Sequence, residues 1–421
     1  MNFQNMTNEA RAALLSELQG QYQNFCAKGL KLDMSRGKPG ADQLALSMEL
    51  LDAALIAQDV KAQNGFDVRN YGVMDGIPEC KALFAELLEV PAENLIVFGN
   101  SSLNVMYDYI AHCMTHGVGG TPWSRLPRVK FACPVPGYDR HFAILEYFGI
   151  EMVNVPMTAE GPDMDALEQL VQDEDVRGMI CVPKYSNPEG TTFSAQTVHR
   201  IAALKPAAKD FRIIWDNAYC VHDLGDSTDE LLNVFEVCAA QGSEDMIIEV
   251  ASTSKISFPG SGVAVMAASA KNIADFKKQM FVQTIGHDKI NQLRHARYFK
   301  DAAGIHAHMQ RHRAILEPKF RAVLDALESE LGGTGAAQWK TPNGGYFVSL
   351  DVLPGCAKRV CALCAEAGVV LTGAGATFPY GKDPQDSNIR IAPTFPPANE
   401  LHTAMELLCL CVKLAALEKL S

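Results

Sequence analysis

The chain has 421 residues, and because single hydrophobic cores stop growing at roughly 250–300 residues, two domains are expected. Hydrophobic residues make up 48% of the chain and charged residues 20%, a composition that excludes disordered and fibrous proteins. The formal net charge of -12 opposes nonspecific attraction to nucleic acids and anionic lipids. We therefore expect no nucleic-acid partner and no membrane partner.

The N-terminal segment lacks a basic region followed by an apolar core, and no uncharged apolar run reaches the roughly 18–20 residues that a membrane span requires. We expect a cytoplasmic protein. The twelve cysteines are scattered and are interpreted as reduced thiols. Cys361 and Cys364, with Cys356 nearby, have a metal-like or redox-like spacing, but the helical pattern around them favours buried structural thiols.

The predicted elements start with a helix from Glu9 to Gly29, and an extended segment, LDMSRGKPG, follows it. Between Gly72 and about Met266, short apolar runs alternate with helical stretches. The runs are NLIVFG, RVKFACP, EMVNVPM, GMICVP, RIIWD, MIIEVAS and GVAVMAAS. This alternation predicts an α/β protein with a mainly parallel, doubly wound sheet.

The rest of the chain predicts a second, smaller domain. A long polar helical region from roughly Lys271 to Leu331 is expected to bridge to it. The strand GGYFVSLDV, the helix CAKRVCALCAEAG, the strand VVLTGAG, the segment NIRIAPTF and a final helix from Glu400 form an α+β unit. We predict an N-terminal arm that contributes to the small domain over residues 1–48, a large domain over 49–300, and a small C-terminal domain over 301–421.

Lys255 is the first candidate for a chemical role. It follows an apolar strand, within a run of small hydroxyl residues and close to two glycines. A lysine amine becomes a useful nucleophile toward an aldehyde only when burial or a nearby cation lowers its pKa. Ser252 and Ser254 are suited to bind a neighbouring phosphate. Because a lone lysine of this kind is more often a surface residue, the hypothesis depends on its companions.

The segments RIIWDNAY and YSNPEGTTF supply such companions. Asp216 ends an apolar strand, where it could meet the ring nitrogen of a pyridinium electron sink or cap a helix. Tyr219 is a candidate donor to the phenolic oxygen of a cofactor, with packing at a domain seam as the alternative. Asn187 could bond the same oxygen, while Pro188 and Gly190 shape the turn.

Two further segments could complete a cofactor site. Asn100, Ser101 and Ser102 stand between a strand and a helix, where amides and hydroxyls can hold a phosphate; simple helix capping is the alternative. Tyr138, in PGYDRH, is a candidate to stack on the ring of a cofactor, with His141 one turn later. Ordinary burial in a loop explains Tyr138 equally well.

Arg390 lies in the otherwise apolar segment NIRIAPTF. A buried guanidinium is costly unless it meets an anion, and its planar fork matches a carboxylate. The carboxylate of a substrate is the favoured partner, and an internal ion pair is the alternative.

Taken in order, these motifs resemble those of the fold type I, class I aminotransferases. They are Tyr71-Gly72 with Gly76, then NSSLN, PGYDRH, YSNPEGT, WDNAY, STSK, PNGGYF and NIRIAP, and they span roughly residues 30 to 400. LDMSRGKP and STSKISFPGSG look closest to a divergent subgroup of aspartate aminotransferases, subgroup Ic. The resemblance implies a mostly parallel seven-stranded sheet with a smaller α+β domain, pyridoxal 5'-phosphate as cofactor, and a homodimer with two shared active sites.

The resemblance also implies a role for each candidate residue. Lys255 would carry the cofactor as a Schiff base and move protons, Asp216 would meet the pyridine nitrogen, and Tyr219 would act as a third catalytic residue at the ring oxygen. Tyr71 would reach the phosphate in the neighbouring subunit. The residues expected to bind the cofactor are Tyr71, Asn100, Ser101, Ser102, Tyr138, Asn187, Asp216, Tyr219, Ser252, Ser254 and Lys255; those expected to bind substrate are Arg36, Gly37, Asn187 and Arg390.

The chain departs from the family pattern at two positions. The family usually places a phosphate-clamping arginine eight residues after the lysine, where this chain has Val263. Phosphate binding must then depend more on hydroxyls or on another cation. Arg36 is also unusual, because the common pattern keeps only a glycine near the substrate, and we hypothesise that Arg36 meets a substrate carboxylate.

The expected reaction is a ping-pong transfer of an amino group from an L-amino acid to a 2-oxo acid. Only the subgroup resemblance favours aspartate and 2-oxoglutarate, so aromatic, branched and longer dicarboxylic substrates stay open. A β- or γ-eliminating lyase is one alternative. A transcriptional regulator with an aminotransferase-like domain is another, although the segment before LDMSRG is short and poor in basic residues.

A metal enzyme is the last alternative, raised by His306, His308 and His312. The i, i+2 step puts the first two on different faces of a helix. We therefore expect a polar helix surface and no metal site.

Overall fold

The computed structural model describes residues 2–52, 54–57, 59–225 and 227–421. The strands are β1 (Leu32–Asp33), β2 (Leu95–Val97), β3 (Lys130–Val135), β4 (Glu151–Thr158), β5 (Gly161–Pro162), β6 (Val176–Cys181), β7 (Arg212–Asp216), β8 (Ile247–Ser252), β9 (Ala264–Ala268), β10 (Ala337–Trp339), β11 (Val348–Val352), β12 (Val369–Val370) and β13 (Asn388–Ile391). The helices are α1 (Asn8–Ala27), α2 (Ala41–Ala45), α3 (Ala54–Ala57), α4 (Pro78–Leu88), α5 (Ser102–His116), α6 (Asp139–Tyr147), α7 (Met164–Leu170), α8 (Ala195–Ala202), α9 (Val234–Ala239), α10 (Ala270–Gln283), α11 (Lys289–Phe299), α12 (Ala302–Leu331), α13 (Ala357–Glu366) and α14 (Ala398–Leu420).

The central sheet has eight strands in the order β2-β9-β8-β7-β6-β3-β4-β5. Neighbours from β8 to β4 pair in parallel, and the outer pairs are antiparallel. Each of the seven predicted apolar runs forms a strand of this sheet, and β5 adds a two-residue strand beside the end of β4. The prediction of a mostly parallel, doubly wound sheet is confirmed.

The strands read as continuous apolar runs because helices cover both faces of the sheet. Alternate residues of β7 enter different cores. Ile214 packs with Val105 of α5 and Phe276 of α10, whereas Trp215 packs with Val198 of α8 on the other face. Burial on both faces fixes the position of β7 in the sheet, and therefore the position of Asp216 at its end.

The small domain is built on the antiparallel sheet β10-β11-β13. The long helix α12 links the domains: Ile305 near its start packs with Leu50, and Phe320 further along packs in the core of α14. Leu18 of α1 and Met34 enter that same core, as expected of an N-terminal arm. The bridging helix is therefore observed, while the domain boundaries stay a prediction.

All twelve cysteines are free thiols, as expected. Cys356 and Cys364 are buried and Cys361 is partly buried, which agrees with structural thiols. The described residues contain no group of three side chains that could hold a metal ion. Within the same residues, no helix is long and apolar enough to cross a membrane.

Strand β8 carries a buried carboxyl group, Glu249, whose Oε1 accepts a hydrogen bond of 2.8 Å from Asn217 Nδ2. Burial raises the pKa of Glu249 to about 7, against an ordinary value of 4.5. Between these two pH values the unfolded chain is ionised at this residue while the folded chain keeps the proton. Since the folded state then binds more protons, its stability falls as pH rises through this window.

We expect Glu249→Gln to raise the melting temperature more at pH 7 than at pH 5. The amide keeps the hydrogen bond from Asn217 but does not ionise, so it avoids the buried charge that Glu249 acquires as pH rises. Differential scanning fluorimetry at the two pH values measures this difference. The exposed Glu93→Gln is the matched control and should shift the melting temperature equally at both. An equal shift for Glu249→Gln would contradict the raised pKa.

Candidate active site

A cavity of about 440 Å³ lies at the carboxyl edge of the large sheet, with residues of the small domain and of the arm in its wall. In open α/β sheets this edge is where ligands bind, because the loops that follow parallel strands meet there. Seven of the predicted site residues line it together: Arg36, Gly37, Tyr138, Asn187, Tyr219, Lys255 and Arg390.

Asp216 ends β7 as a buried carboxylate, 3% exposed. Its Oδ2 lies 2.9 Å from Nε2 of the buried His141, and its Oδ1 has no hydrogen-bond partner among the described residues. A buried oxygen of this kind is costly unless a donor meets it. Turns rather than a helix follow Asp216, so the helix-cap alternative is wrong. Sequence analysis placed His141 one turn after Tyr138 but did not predict its pairing with Asp216.

Lys255 is partly buried, and its Nζ lies 5.1 Å from the ring centroid of Tyr219 and 5.7 Å from that of Tyr346. Burial lowers the pKa of Lys255; Asp216 opposes that shift and Arg390 adds to it. The neutral amine is thereby favoured, which is the form that attacks a carbonyl carbon. Burial also raises the pKa of Tyr219 well above its ordinary value, so its hydroxyl remains a donor.

The hydroxyl residues around Lys255 meet the loop that precedes α5. Ser252 Oγ donates to Ser254 Oγ at 2.9 Å, and Ser254 Oγ donates to the backbone oxygen of Asn100 at 3.1 Å. Ser101 is the N-cap residue of α5, but its side chain caps no backbone amide, so the capping alternative is not what the structure has. Ser102 is the first residue of the helix. Helix N-termini with free hydroxyls are suited to bind phosphate.

The side chains of Asn100 and Val263 are not available to bind a phosphate at this loop. The amide of Asn100 is occupied, because Nδ2 donates to the backbone oxygen of Pro259 at 3.0 Å. Val263, at the usual arginine position, is 1% exposed, and its backbone N–H donates to Thr253 Oγ1 at 2.9 Å. The side chain of Val263 belongs to the apolar core next to β2. Ser101 and Ser102 therefore offer hydroxyls and backbone amides to a phosphate at this end of α5.

Arg390, in β13, is buried and has an internal partner. Its Nη1 donates to Asp139 Oδ1 at 2.8 Å and to Asn187 Oδ1 at 3.2 Å, and its Nη2 donates to Thr372 Oγ1 at 3.3 Å. The guanidinium lies 4.8 Å from the ring centroid of Phe347, and Nε has no partner among the described residues. The internal ion pair, weighed as the alternative, is therefore present. It does not use every donor of Arg390.

The arm crosses the cavity at Arg36 and Gly37. A Cβ on Gly37 would lie 2.2 Å from Cζ of Phe347, so only glycine lets the arm pass this close to the ring beneath Arg390. Arg36 is exposed, lines the cavity and forms no ion pair with a described residue. Tyr71, in contrast, is 78% exposed and lies outside the cavity. A single chain does not test its predicted reach into a neighbouring subunit.

The expectation of a polar helix surface is wrong for His308 and His312. Both are buried, with their Nε2 atoms 3.1 Å apart, and Nε2 of His308 lies 3.0 Å from the backbone oxygen of Ile256. Burial lowers the pKa of both rings, to about 4 for His312, so both are neutral. Their i, i+4 spacing beside Ile305 and Met309 was the signal that could have placed them on the buried face.

Gln43 of α2 connects these histidines to the backbone of Lys255. Its Oε1 accepts from the backbone N–H of Gly40, which makes Nε2 the donor to His312 Nδ1 at 3.1 Å and to the Tyr346 hydroxyl at 2.9 Å. The Tyr346 hydroxyl donates to the backbone oxygen of Lys255 at 3.4 Å. The carbonyls of two consecutive residues, Lys255 and Ile256, are thus held by one buried cluster that also anchors the arm.

Comparison with known proteins agrees with this geometry. A family model described as aspartate amino-transferase matches residues 6–421. An aspartate aminotransferase of Corynebacterium glutamicum is 47% identical over 405 residues, which cover 96% of this chain and 93% of that protein. The crystal structure of an aspartate transaminase from Corynebacterium glutamicum has a TM-score of 0.98 at 45% identity and covers 100% of both chains.

A more distant structure shares the fold. The α-aminoadipate aminotransferase of Thermus thermophilus, whose structure holds N-(5'-phosphopyridoxyl)-L-leucine, has a TM-score of 0.75 at 20% identity and covers 95% of this chain and 96% of its own. The fold of the chain is fold type I of the pyridoxal-phosphate enzymes. With a family match over nearly the whole chain, the protein belongs to the aspartate amino-transferase family and is an aminotransferase.

Proposed function

We propose that the protein transfers an amino group from L-aspartate to 2-oxoglutarate by a ping-pong mechanism, with pyridoxal 5'-phosphate held on Lys255. The observation that carries the proposal is the pairing, in one cavity region, of a lysine whose pKa is lowered and a buried aspartate whose Oδ1 lacks a donor. The relatives named aspartate aminotransferase support the choice of substrates.

The residues present fit this cofactor. Asp216 Oδ1 is an acceptor without a partner, as a protonated ring nitrogen requires, and His141 holds the other oxygen in place. Ser101 and Ser102 at the N-terminus of α5 offer hydroxyls and amides to a phosphate. When bound, pyridoxal phosphate supplies an imine-forming carbonyl and a ring that absorbs the charge left when the α-proton is removed.

The chain's own residues then divide the work of the reaction. Lys255, whose pKa burial lowers, accepts and returns the α-proton of the substrate. Tyr219 and Asn187 would hold the ring oxygen of the cofactor, and Tyr138 would stack on its ring. Arg390 takes the α-carboxylate, for which its planar fork is suited.

A dicarboxylic substrate needs a second cation, and Arg36 is the residue that we assign to it. Arg36 and Arg390 line the same cavity from different elements, the arm and β13. Arg36 has no ion pair to give up among the described residues. Binding of a second carboxylate there distinguishes aspartate and 2-oxoglutarate from monocarboxylic amino acids.

The first measurement is an absorbance spectrum of the purified protein, before and after aspartate and then after 2-oxoglutarate. We expect a band near the visible that is lost with aspartate and restored with 2-oxoglutarate. Lys255→Ala should abolish this cycle because no other amine replaces it, whereas the exposed Lys300→Ala should leave it intact. Release of pyruvate and ammonia without an added 2-oxo acid would instead indicate the lyase.

We expect Arg36→Ala to raise the KM for aspartate and for 2-oxoglutarate by about tenfold each, the effect of losing roughly 1.4 kcal/mol of carboxylate binding. The KM for a monocarboxylic amino acid should change little. Steady-state kinetics measure both, and Lys31→Ala, an exposed cation on the same arm outside the cavity wall, is the control. Unchanged KM values in Arg36→Ala would remove Arg36 from the substrate site.

The working form that we propose is a homodimer in which Tyr71 reaches the neighbouring active site. Four large apolar side chains are exposed close together: Tyr71 at 78%, Phe281 at 79%, Val282 at 88% and Ile285 at 61%. A Cβ added to Gly286, which follows the last of them, would lie 2.8 Å from the backbone oxygen of Gly72, so the two segments lie close together. Exposed apolar patches of this kind mark protein interfaces.

We expect Phe281→Glu to convert the dimer to monomers, because it places a charge in the apolar contact. Sedimentation velocity measures the change. Tyr147→Glu, at a side chain that is 73% exposed outside this patch, is the matched control and should leave the dimer unchanged. A dimer that survives Phe281→Glu would place the interface elsewhere.

A further inference from the structure

We propose that the protein has a second ligand site, for a phosphate-bearing anion, at the amino edge of the large sheet. A cavity of about 770 Å³ opens there, on the side of the sheet opposite to the active site. The loop after α5, the starts of β6 and β7, and the first turn of α10 form its wall. Five cations line it: Arg177, Lys209, Arg212, Lys271 and Lys278.

Arg212, the first residue of β7, is the central feature of this cavity. Its side chain is buried, 5% exposed, yet it forms no ion pair with any described residue. Nη1 donates to the backbone oxygen of Phe211 at 2.8 Å, and Nη2 makes a long contact of 3.5 Å to Asn272 Oδ1. The hydroxyl of the buried Tyr109 also lies beside the guanidinium. Nε has no partner among the described residues. Asp245 interacts with Arg212 electrostatically, but it forms no ion pair with the guanidinium. A buried guanidinium without an ion pair is costly, and a bound anion reduces that cost.

Arg177, in the same wall, also has a guanidinium group with an unused donor. Its Nη1 pairs with Asp210 Oδ1 at 2.5 Å, while its Nε is buried without a partner among the described residues. The other oxygen of Asp210 accepts from Trp123 Nε1 at 2.7 Å. Both oxygens of Asp210 therefore have partners, and neither of them forms an ion pair with Arg212. Two guanidinium groups with unused donors face one cavity.

The remaining acids of the wall are engaged or exposed. Asp275 lies 3.2 Å from Nε2 of His112 and 3.9 Å from Nζ of Lys278. Glu174 is an exposed side chain at the rim. Lys271 reaches Asp245 Oδ2 at 2.7 Å, but it is 73% exposed and can turn to a ligand. The wall therefore carries more positive than negative charge in a chain whose net charge is -12.

Helix α10 adds backbone donors to these side chains. The helix has 14 residues and starts at the cavity, where Lys271 and Asn272 lie in its first turn. The N-cap Ser269 accepts from the backbone N–H of Asn272 at 3.3 Å, so the donors of the turn that precede Asn272 are the ones offered to a ligand. The N-terminus of a helix favours an anion, and together with a buried arginine it makes a site suited to phosphate oxygens. Since the volume of about 770 Å³ exceeds what inorganic phosphate fills, the cavity also fits a small organic phosphate.

The site is separate from the active site. Arg212 and Asp216 are the first and last residues of the same five-residue strand, so their Cα atoms are about 13 Å apart at roughly 3.3 Å per residue. The sheet lies between the two cavities. A ligand of Arg212 is therefore neither the amino acid substrate nor the phosphate of the cofactor.

The test is isothermal titration calorimetry with glycerol 3-phosphate and, separately, inorganic phosphate, on the full-length protein saturated with pyridoxal phosphate at constant ionic strength. We expect one site per chain, weakened about tenfold by Arg212→Gln and unchanged by Lys382→Gln, an exposed cation outside this wall. Tighter binding of the ester identifies an organic phosphate as the ligand, and equal binding identifies the free ion.

A surface variant keeps the test decisive if Arg212→Gln fails to fold. Lys209→Gln combined with Lys271→Gln removes two cations of the rim without touching the core, and we expect it to weaken binding several-fold. Absence of binding to the unsubstituted protein would overturn the proposal. Equal affinity in the unsubstituted protein, the folded Arg212→Gln variant and the double variant would also overturn it. The same holds if citrate, an anion without phosphate, binds as tightly as glycerol 3-phosphate.

Discussion

The buried carboxylate of Asp216 is the constraint on which the rest of the site depends. One of its oxygens is held by His141 and the other has no donor, in a position fixed by a strand that is buried on both faces. Because β6 and β8 run parallel on either side of β7, the residues that follow them reach the same edge. That topology brings Asn187 and Lys255 to the same cavity although they are far apart in the sequence.

Much of this arrangement could be predicted from the sequence, because it depends on local patterns. Short apolar runs identified the seven main strands, and the segments after four of them supply Tyr138, Asn187, Tyr219 and Lys255 to the cavity wall. Sequence analysis left the role of each of these residues open. A strand-end aspartate serves equally well as a helix cap, and only the turns after Asp216 and its bare oxygen separate the two possibilities.

The features that sequence analysis missed depend on contacts between distant segments. Gln43 and His312 are 269 positions apart, and no periodicity in either segment reports that they meet behind the lysine. Periodicity shows that a helix has a buried face, but a histidine on that face looks polar until its partners are known. The pairing of Asp139 with Arg390, over 251 positions, has the same origin.

That last pairing bears on how substrates bind. In the proposed mode of binding, a substrate carboxylate competes with Asp139 for Nη1 of Arg390. Arg390 is buried, whereas the side chain of Asp139 is 34% exposed. Displacing a carboxylate that is already partly in water costs little free energy, whereas leaving a buried guanidinium unpaired would cost much. Arg390 is therefore kept paired throughout, and exchange of one carboxylate for another costs far less than removal of either. An arginine held in this way is oriented before the substrate arrives, so less of the binding energy is spent on ordering it.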